Sequence, residues 1–270
     1  MPFFARLAKV FFLICAVPAQ AHEFWLEPHD YSVAVGEEIS ADLKNGENFK
    51  GATYSYIPEQ FSSFNVHTRK GTAPVPGRRG DYPALTMKAT TGGLHVFAFA
   101  SARNVIVYPN FEKFKKFATG VGLDWVIEQH IEREMPQERV REHYYRYAKA
   151  LVKVGSGAGN DKFTGMPFEL VAEINPYSSA AKKGVRLRLY QDGVPAPNFE
   201  LQVFNFPPGQ SKAVKTILHT DATGRALVPR GDGGEFMVNA VQILVPGTED
   251  AAGGAQWTSI WATSNYSLEE

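Results

Sequence analysis

The run Val185-Arg186-Leu187-Arg188-Leu189-Tyr190 alternates apolar and polar residues, and Asp192-Gly193 follows it. A period of two sends successive side chains to opposite faces, and Asp-Gly supplies the positive-φ turn of a hairpin, so the run reads as a strand with one buried face. The same reading extends along the chain. Tyr31–Val35 and Ile39–Leu43 flank the turn Val35-Gly36-Glu37-Glu38. Phe64–His67, Leu85–Ala89, Leu94–Ala100, Phe168–Ile174, Leu201–Phe206, Arg225–Val228, Glu235–Val245 and Trp257–Tyr266 are further runs, separated by Gly, Pro and Asp turns. Short strands at near-regular spacing predict a mainly β sandwich protein. An aromatic share of 13% suits packed sheets.

The pattern changes after Asn110. Phe111–Ala118 reads as one or two helical turns and Leu123–Met135 as a helix. Pro136 suits the first turn of a second helix over Gln137–Val154. There Val140, Tyr144, Tyr147, Ala148, Leu151 and Val154 recur at three- and four-residue steps. Gly155-Ser156-Gly157-Ala158-Gly159 reads as a flexible linker. The expectation is a set of immunoglobulin-like β-sandwich domains with an inserted helical hairpin. It divides into residues 22–110 (N-terminal β domain), 111–160 (helical hairpin and linker) and 161–270 (C-terminal immunoglobulin-like β-sandwich).

Residues 1–21 read as a signal peptide. Arg6 and Lys9 precede the apolar run Val10–Val17, and Ala19-Gln20-Ala21 supplies the small residues of a cleavage site. The one cysteine, Cys15, lies inside this segment behind Ile14, which does not suit a lipoprotein site. The mature chain therefore carries no disulfide and no thiolate, and export without disulfides suits a bacterial periplasm. Without Arg6 and Lys9 the chain has 26 basic and 28 acidic residues. That balance argues against nucleic acid as a partner. No later segment reaches the roughly 20 apolar residues of a membrane span.

Several segments, in this order, resemble the bacterial domain-of-unknown-function 4198 family. They are Ala21-His22-Glu23-Phe24-Trp25-Leu26-Glu27-Pro28, Tyr147-Ala148-Lys149-Ala150-Leu151, Phe168-Glu169-Leu170-Val171 with Asn175-Pro176, Asp192-Gly193-Val194-Pro195 and Thr220-Asp221-Ala222-Thr223-Gly224-Arg225. The resemblance implies an exported, β-rich periplasmic component of nickel or cobalt uptake, with a divalent metal ion and a membrane metal transporter as partners.

The residues offer a matching chemistry. Cleavage after Ala21 frees the α-amine of His22, and that amine and the imidazole Nδ1 close a chelate ring. A second imidazole completes a planar nitrogen set suited to Cu(II) or Ni(II). His95, on a strand beside Phe97 and Phe99, is the first candidate for that partner, with His67 and His29 behind it. Glu23 and Glu27 add carboxylates, and Trp25 shares the strand face of Glu23. A rival cluster, Glu128, His130, Glu134, Glu142 and His143, would form on the helical hairpin, although its interleaved charges also read as a solvated face. His219 reads as a surface residue. No zinc-protease, nucleophile-elbow, phosphate-loop or dinucleotide motif is present, so the chain reads as a non-enzyme. Two alternatives stand beside metal uptake. One is a copper-dependent oxidative enzyme built on the terminal histidine; the other is a non-catalytic cell-envelope interaction module.

Overall fold

The structure is a computed structural model and describes residues 23–268. The chain begins with β1 (Glu23–Pro28), β2 (Ser32–Val33), β3 (Glu38–Glu47), β4 (Lys50–Tyr54), β5 (Phe61–Thr68), β6 (Gly71–Pro74), β7 (Leu85–Lys88), β8 (Gly93–Ser101) and β9 (Asn104–Asn110). Two helices, α1 (Phe111–Gly120) and α2 (Trp125–Glu132), precede the long β10 (Glu138–Val154). Next come β11 (Phe168–Ala172), β12 (Gly184–Gln191), β13 (Val194–Pro195), β14 (Glu200–Phe206), β15 (Val214–His219), β16 (Arg225–Pro229) and β17 (Gly234–Leu244). The short α3 (Thr248–Ala252) leads to β18 (Trp257–Leu268).

Among the described residues the strands form three sheets. The largest has ten strands in the order β15-β14-β17-β18-β10-β8-β5-β6, with β2 and β9 also paired to β10. A second sheet is β1-β3-β4 with β7 on β3, and a third is β11-β12-β13 with β16 on β12. The ten-stranded sheet is the middle layer, and alternation along β8 shows why. Leu94, Val96, Ala98 and Ala100 enter the core shared with β11, β12 and β16, whereas Phe97 and Phe99 enter the core shared with β1, β3 and β7. β10 divides likewise, with Tyr147 and Leu151 on one side and Ala148, Ala150 and Val152 on the other. The middle sheet is mixed, since β18 and β2 pair parallel with β10, and it faces an antiparallel sheet across each core; sheets packed face to face in this way make the expected immunoglobulin-like β-sandwich. Among the described residues no helix is long and apolar enough to cross a membrane.

The segment expected as a second helix, Gln137–Val154, is the strand β10. Its C-terminal half is covered on both faces, and a strand buried on both sides loses the polar–apolar alternation that marks a strand in sequence. The helical spacing of Val140, Tyr144, Tyr147, Leu151 and Val154 is a by-product of that run. Its β-branched and aromatic content (Val140, Tyr144, Tyr145, Tyr147, Val152, Val154) favours a pleated sheet. Partners then fix it: β9 and β8 pair with it antiparallel and β18 parallel. The helical insert is therefore α1 and α2. Asn110 caps α1 by accepting from the Lys113 amide at 3.1 Å. Phe111, Phe114 and Ala118 turn inward onto Tyr108, Val126 and Trp257.

The glycine-rich segment 155–159 is tied down rather than a free linker. Leu94 donates its amide to the Ala158 carbonyl at 3.0 Å, and Asn175 Nδ2 donates to the carbonyls of Gly157 and Gly159 at 2.9 and 2.8 Å. Gly157 and Gly159 stand at φ 64° and 132°, conformations that glycine adopts without a Cβ clash.

Candidate functional site

β1 pairs antiparallel with β3, placing Glu23 opposite Gly46, and its pleat sets Glu23, Trp25 and Glu27 on one face. Trp25 is fully buried, 5.6 Å from the Phe49 ring, in a small core with Phe204 and Met237. Glu23 is half-buried at the same end of the molecule. Burial pushes its carboxyl up to about 7 against the pull of Lys215, and the Glu47 charge adds to the rise. Its Oε2 has no hydrogen-bond partner among the described residues. A carboxyl that titrates near neutrality with an oxygen to spare is a ready acceptor for a cation.

His22, the neighbour of Glu23 in sequence, lies outside the described residues. The other predicted ligands occupy three separate places. His29 stands just beyond the far end of β1, about 20 Å of extended chain from Glu23. It meets Ser40 Oγ at 3.1 Å and Asp42 Oδ1 at 3.3 Å. His95 shares its sheet face with Phe97 and Phe99 and is buried, which lowers its pKa. It lies on β8 four residues from Phe99, whose ring is 5.0 Å from the Phe24 ring at the start of β1, so about 13 Å at strand rise separates it from that contact. His67 pairs with Val96 and so takes the face opposite His95. It bonds Thr72 Oγ1 at 2.8 Å, and burial, with the Lys149 charge, lowers its pKa. Among the described residues no three His, Cys, Asp or Glu side chains converge as a metal-ligating group.

The rival cluster on the helices does not form, because its second half is β10. His130 stacks on Phe111 at 4.2 Å, and both ring nitrogens are engaged, Nδ1 with Trp257 Nε1 at 2.9 Å and Nε2 with the Pro136 carbonyl at 3.0 Å. It is a satisfied core residue. Glu142 is fully buried; it accepts from the Tyr108 hydroxyl at 2.9 Å and from Ser259 Oγ. Burial pushes its carboxyl up to about 7. His143, on the other face of β10, meets Asp250 Oδ1 at 2.9 Å, and the same oxygen accepts from the Tyr145 hydroxyl at 3.0 Å. His219 is exposed.

A cleft of 420 Å³ with a mixed polar and apolar lining opens over β5 and β8. His67, Asn65, Ser62, Arg103, Tyr145 and Tyr147 line it, and the 164–167 turn closes one side. Behind that turn lies a cluster that the sequence reading missed. Lys149 of β10 is fully buried, with Nζ 2.6 Å from Asp161 Oδ1 and 2.9 Å from Glu169 Oε1. Both carboxylates are also fully buried. The signal was present as a lone lysine in the apolar run Ala148–Val152, but it has meaning only once that run is read as a strand.

Three β layers with a cleft on the middle sheet and a buried ion cluster define a layered sandwich protein. Within that class, the chain belongs to the family described as Domain of unknown function (DUF4198), which it matches over residues 19–243. Among solved structures it is similar to the D0-D1 domain of Intimin, at 12% identity and TM-score 0.21, covering 90% of this chain and 97% of that one. It is also similar to Salmonella alpha-2-macroglobulin reacted with methylamine, at 14% identity and TM-score 0.22, covering 92% of this chain and 15% of that one. No curated protein matches the chain.

Proposed function

We propose that this is an exported periplasmic protein that binds a divalent transition metal (nickel, cobalt or copper) at its processed amino terminus, for uptake or delivery to a membrane transporter. The observation that carries the reading is Glu23. Its carboxyl stands at about 7 with Oε2 unpartnered, one residue from the histidine that signal cleavage would expose. The amine and imidazole of His22 would supply two nitrogens, and Glu23 a carboxylate oxygen. On this reading the third donor is Glu23 rather than His95, because Glu23 adjoins His22 in sequence, whereas His29 lies beyond the far end of β1 and His95 four residues along β8 from the Phe99 that meets Phe24. Uptake requires binding and release, and no catalytic base.

Calorimetric titration of the chain beginning at His22 with Ni(II), Co(II), Cu(II) and Zn(II) tests the reading. Binding tighter than about 10 μM, roughly −7 kcal/mol, is expected for at least one ion. Acetylating the α-amine of His22 should abolish it by removing the chelating amine, and Glu23→Gln should weaken it at least tenfold. Affinity should fall with acid, since amine, imidazole and carboxyl must all be deprotonated to bind. Absence of binding at that level would overturn the proposal. Copper that consumes oxygen and reductant would turn it toward an oxidative enzyme. The cleft favours a second reading, a non-catalytic envelope module that takes a small polar solute between His67, Arg103 and Tyr147.

A further inference from the structure

Lys149, Asp161 and Glu169 are the most deeply buried charged set described in this molecule, and the cleft does not use them. Lys149 is held by the middle sheet, Glu169 by β11 of the facing sheet, and Asp161 by the loop between them. Lys149 Nζ contacts Asp161 Oδ1, Glu169 Oε1 and the Lys162 carbonyl at 2.6, 2.9 and 3.1 Å. Backbone amides hold the carboxyl groups still. Ala172 donates to Asp161 Oδ2 at 2.8 Å, Lys162 donates to Asp161 Oδ1 at 2.8 Å, and Thr164 and Met166 donate to Glu169. All three side chains have no exposed surface.

Fully ionised, the three groups carry a net charge of −1 with no solvent to screen it. Burial of charge on this scale costs several kcal/mol per ion, so moving a proton from the ammonium to a carboxylate is favoured here more than in water. Burial also raises the Asp161 pKa, the direction that favours a neutral carboxylic acid. The amine nitrogen is in contact with the carboxyl group, Lys149 being fixed by the middle sheet and Asp161 by the amides of Lys162 and Ala172. Held in that way, reacting groups behave as if at very high local concentration.

We infer that Lys149 and Asp161 condense into an intramolecular amide bond, with Glu169 carrying the proton. In the reaction, Nζ of the neutral lysine attacks Cγ of the protonated Asp161. Glu169 takes a proton from the attacking nitrogen and returns it to the departing hydroxyl, ending as it began. One N–C bond forms, one C–O bond breaks and one water leaves; nothing is oxidised or reduced. The product replaces a buried ion pair with a neutral amide. It also staples the middle sheet to the loop that leads into β11. Glu169 is therefore assigned as a catalytic residue for this one turnover, since it touches the reacting nitrogen. The inference does not depend on the metal reading.

Mass spectrometry of the purified full chain tests this. The expected mass is one water, about 18 Da, below that of the sequence from its measured first residue. Trypsin should leave Lys149 uncut, and the peptides 147–153 and 154–162 should emerge as a single branched species. Asp161→Ala and Glu169→Gln should restore the full mass and the two separate peptides. Asp161→Asn should still close, losing ammonia, about 17 Da, instead of water. A wild-type chain at full mass with free Lys149 would overturn the inference and leave an ion cluster only. So would a water loss mapped elsewhere, such as to a succinimide at Asp192-Gly193 or Asp232-Gly233. The wild-type measurement decides the matter even if a variant fails to fold.

Discussion

Replacing Trp257 by alanine is expected to lower the free energy of unfolding by about 3–5 kcal/mol, the range for emptying a buried large aromatic site. Trp257 is fully buried where α1 and α2 meet β18. Phe114 stacks on it at 5.9 Å, Trp125 meets it edge-on at 6.2 Å, and the Arg133 guanidinium sits 4.9 Å from its ring centre. Its Nε1 donates to His130 Nδ1 at 2.9 Å. Alanine would leave a cavity between sheet and helices and strip His130 of a buried partner, which alone costs about 1–3 kcal/mol. Phenylalanine keeps most of the volume and loses the hydrogen bond, so Trp257→Phe should cost roughly half as much. Urea denaturation at neutral pH measures both. A loss below about 1 kcal/mol for the alanine variant would show that the two helices are not held through this ring.

The second large effect is on pH. Glu142 has an ordinary pKa of 4.5 and is pushed by burial to about 7. Between those values the folded protein holds a proton that the unfolded chain has released. The contribution of Glu142 is therefore fullest below pH 4.5 and is lost as pH rises to 7, the reverse of the usual carboxylate case. A gap of that size amounts to about 3 kcal/mol. Glu23 adds a smaller loss of the same sign, because it is partly open to water. His67, His95 and His130 act oppositely. Their lowered pKa values mean that the unfolded chain binds more protons below 6.5, so their contribution grows as pH rises. The difference between wild type and Glu142→Gln isolates the carboxyl. Glutamine keeps the shape and a neutral group toward Tyr108 and Ser259, so the variant should match wild type near pH 4.5. By pH 8 it should exceed wild type by about 2–3 kcal/mol. Parallel stability curves for the two chains would show that Glu142 does not titrate in this window.

Strands with one solvated face were legible in the sequence because water preserves their alternation. Val185–Tyr190 reads as β12 and Arg225–Val228 as β16, each within a residue or two. β10 was not legible, because burial on both faces erased its alternation and left a spacing that a helix also satisfies. That misreading hid the candidate chemistry with it. On a helix, Glu142 and His143 belong to a charged surface; on β10 they are buried on opposite faces, and Lys149 becomes the centre of an ion cluster. The histidines were visible as residue types, but their mutual positions depend on pairing. Only the register of β5 with β8 shows that His67 and His95 face opposite ways.

The parallel pairing of β10 with β18 also governs how the chain must find its fold. Glu142 sits beside Trp257 and Ala150 beside Asn265, so the seam at the centre of the middle sheet joins residues more than a hundred positions apart. Contacts of such high sequence separation demand loop closure before they return any stabilisation, which makes folding slow. The seam closes only after β18, the last strand described, has been synthesised. For the export proposed above, that delay would keep the central strand of the N-terminal half from locking against its final neighbour before the chain is threaded across a membrane.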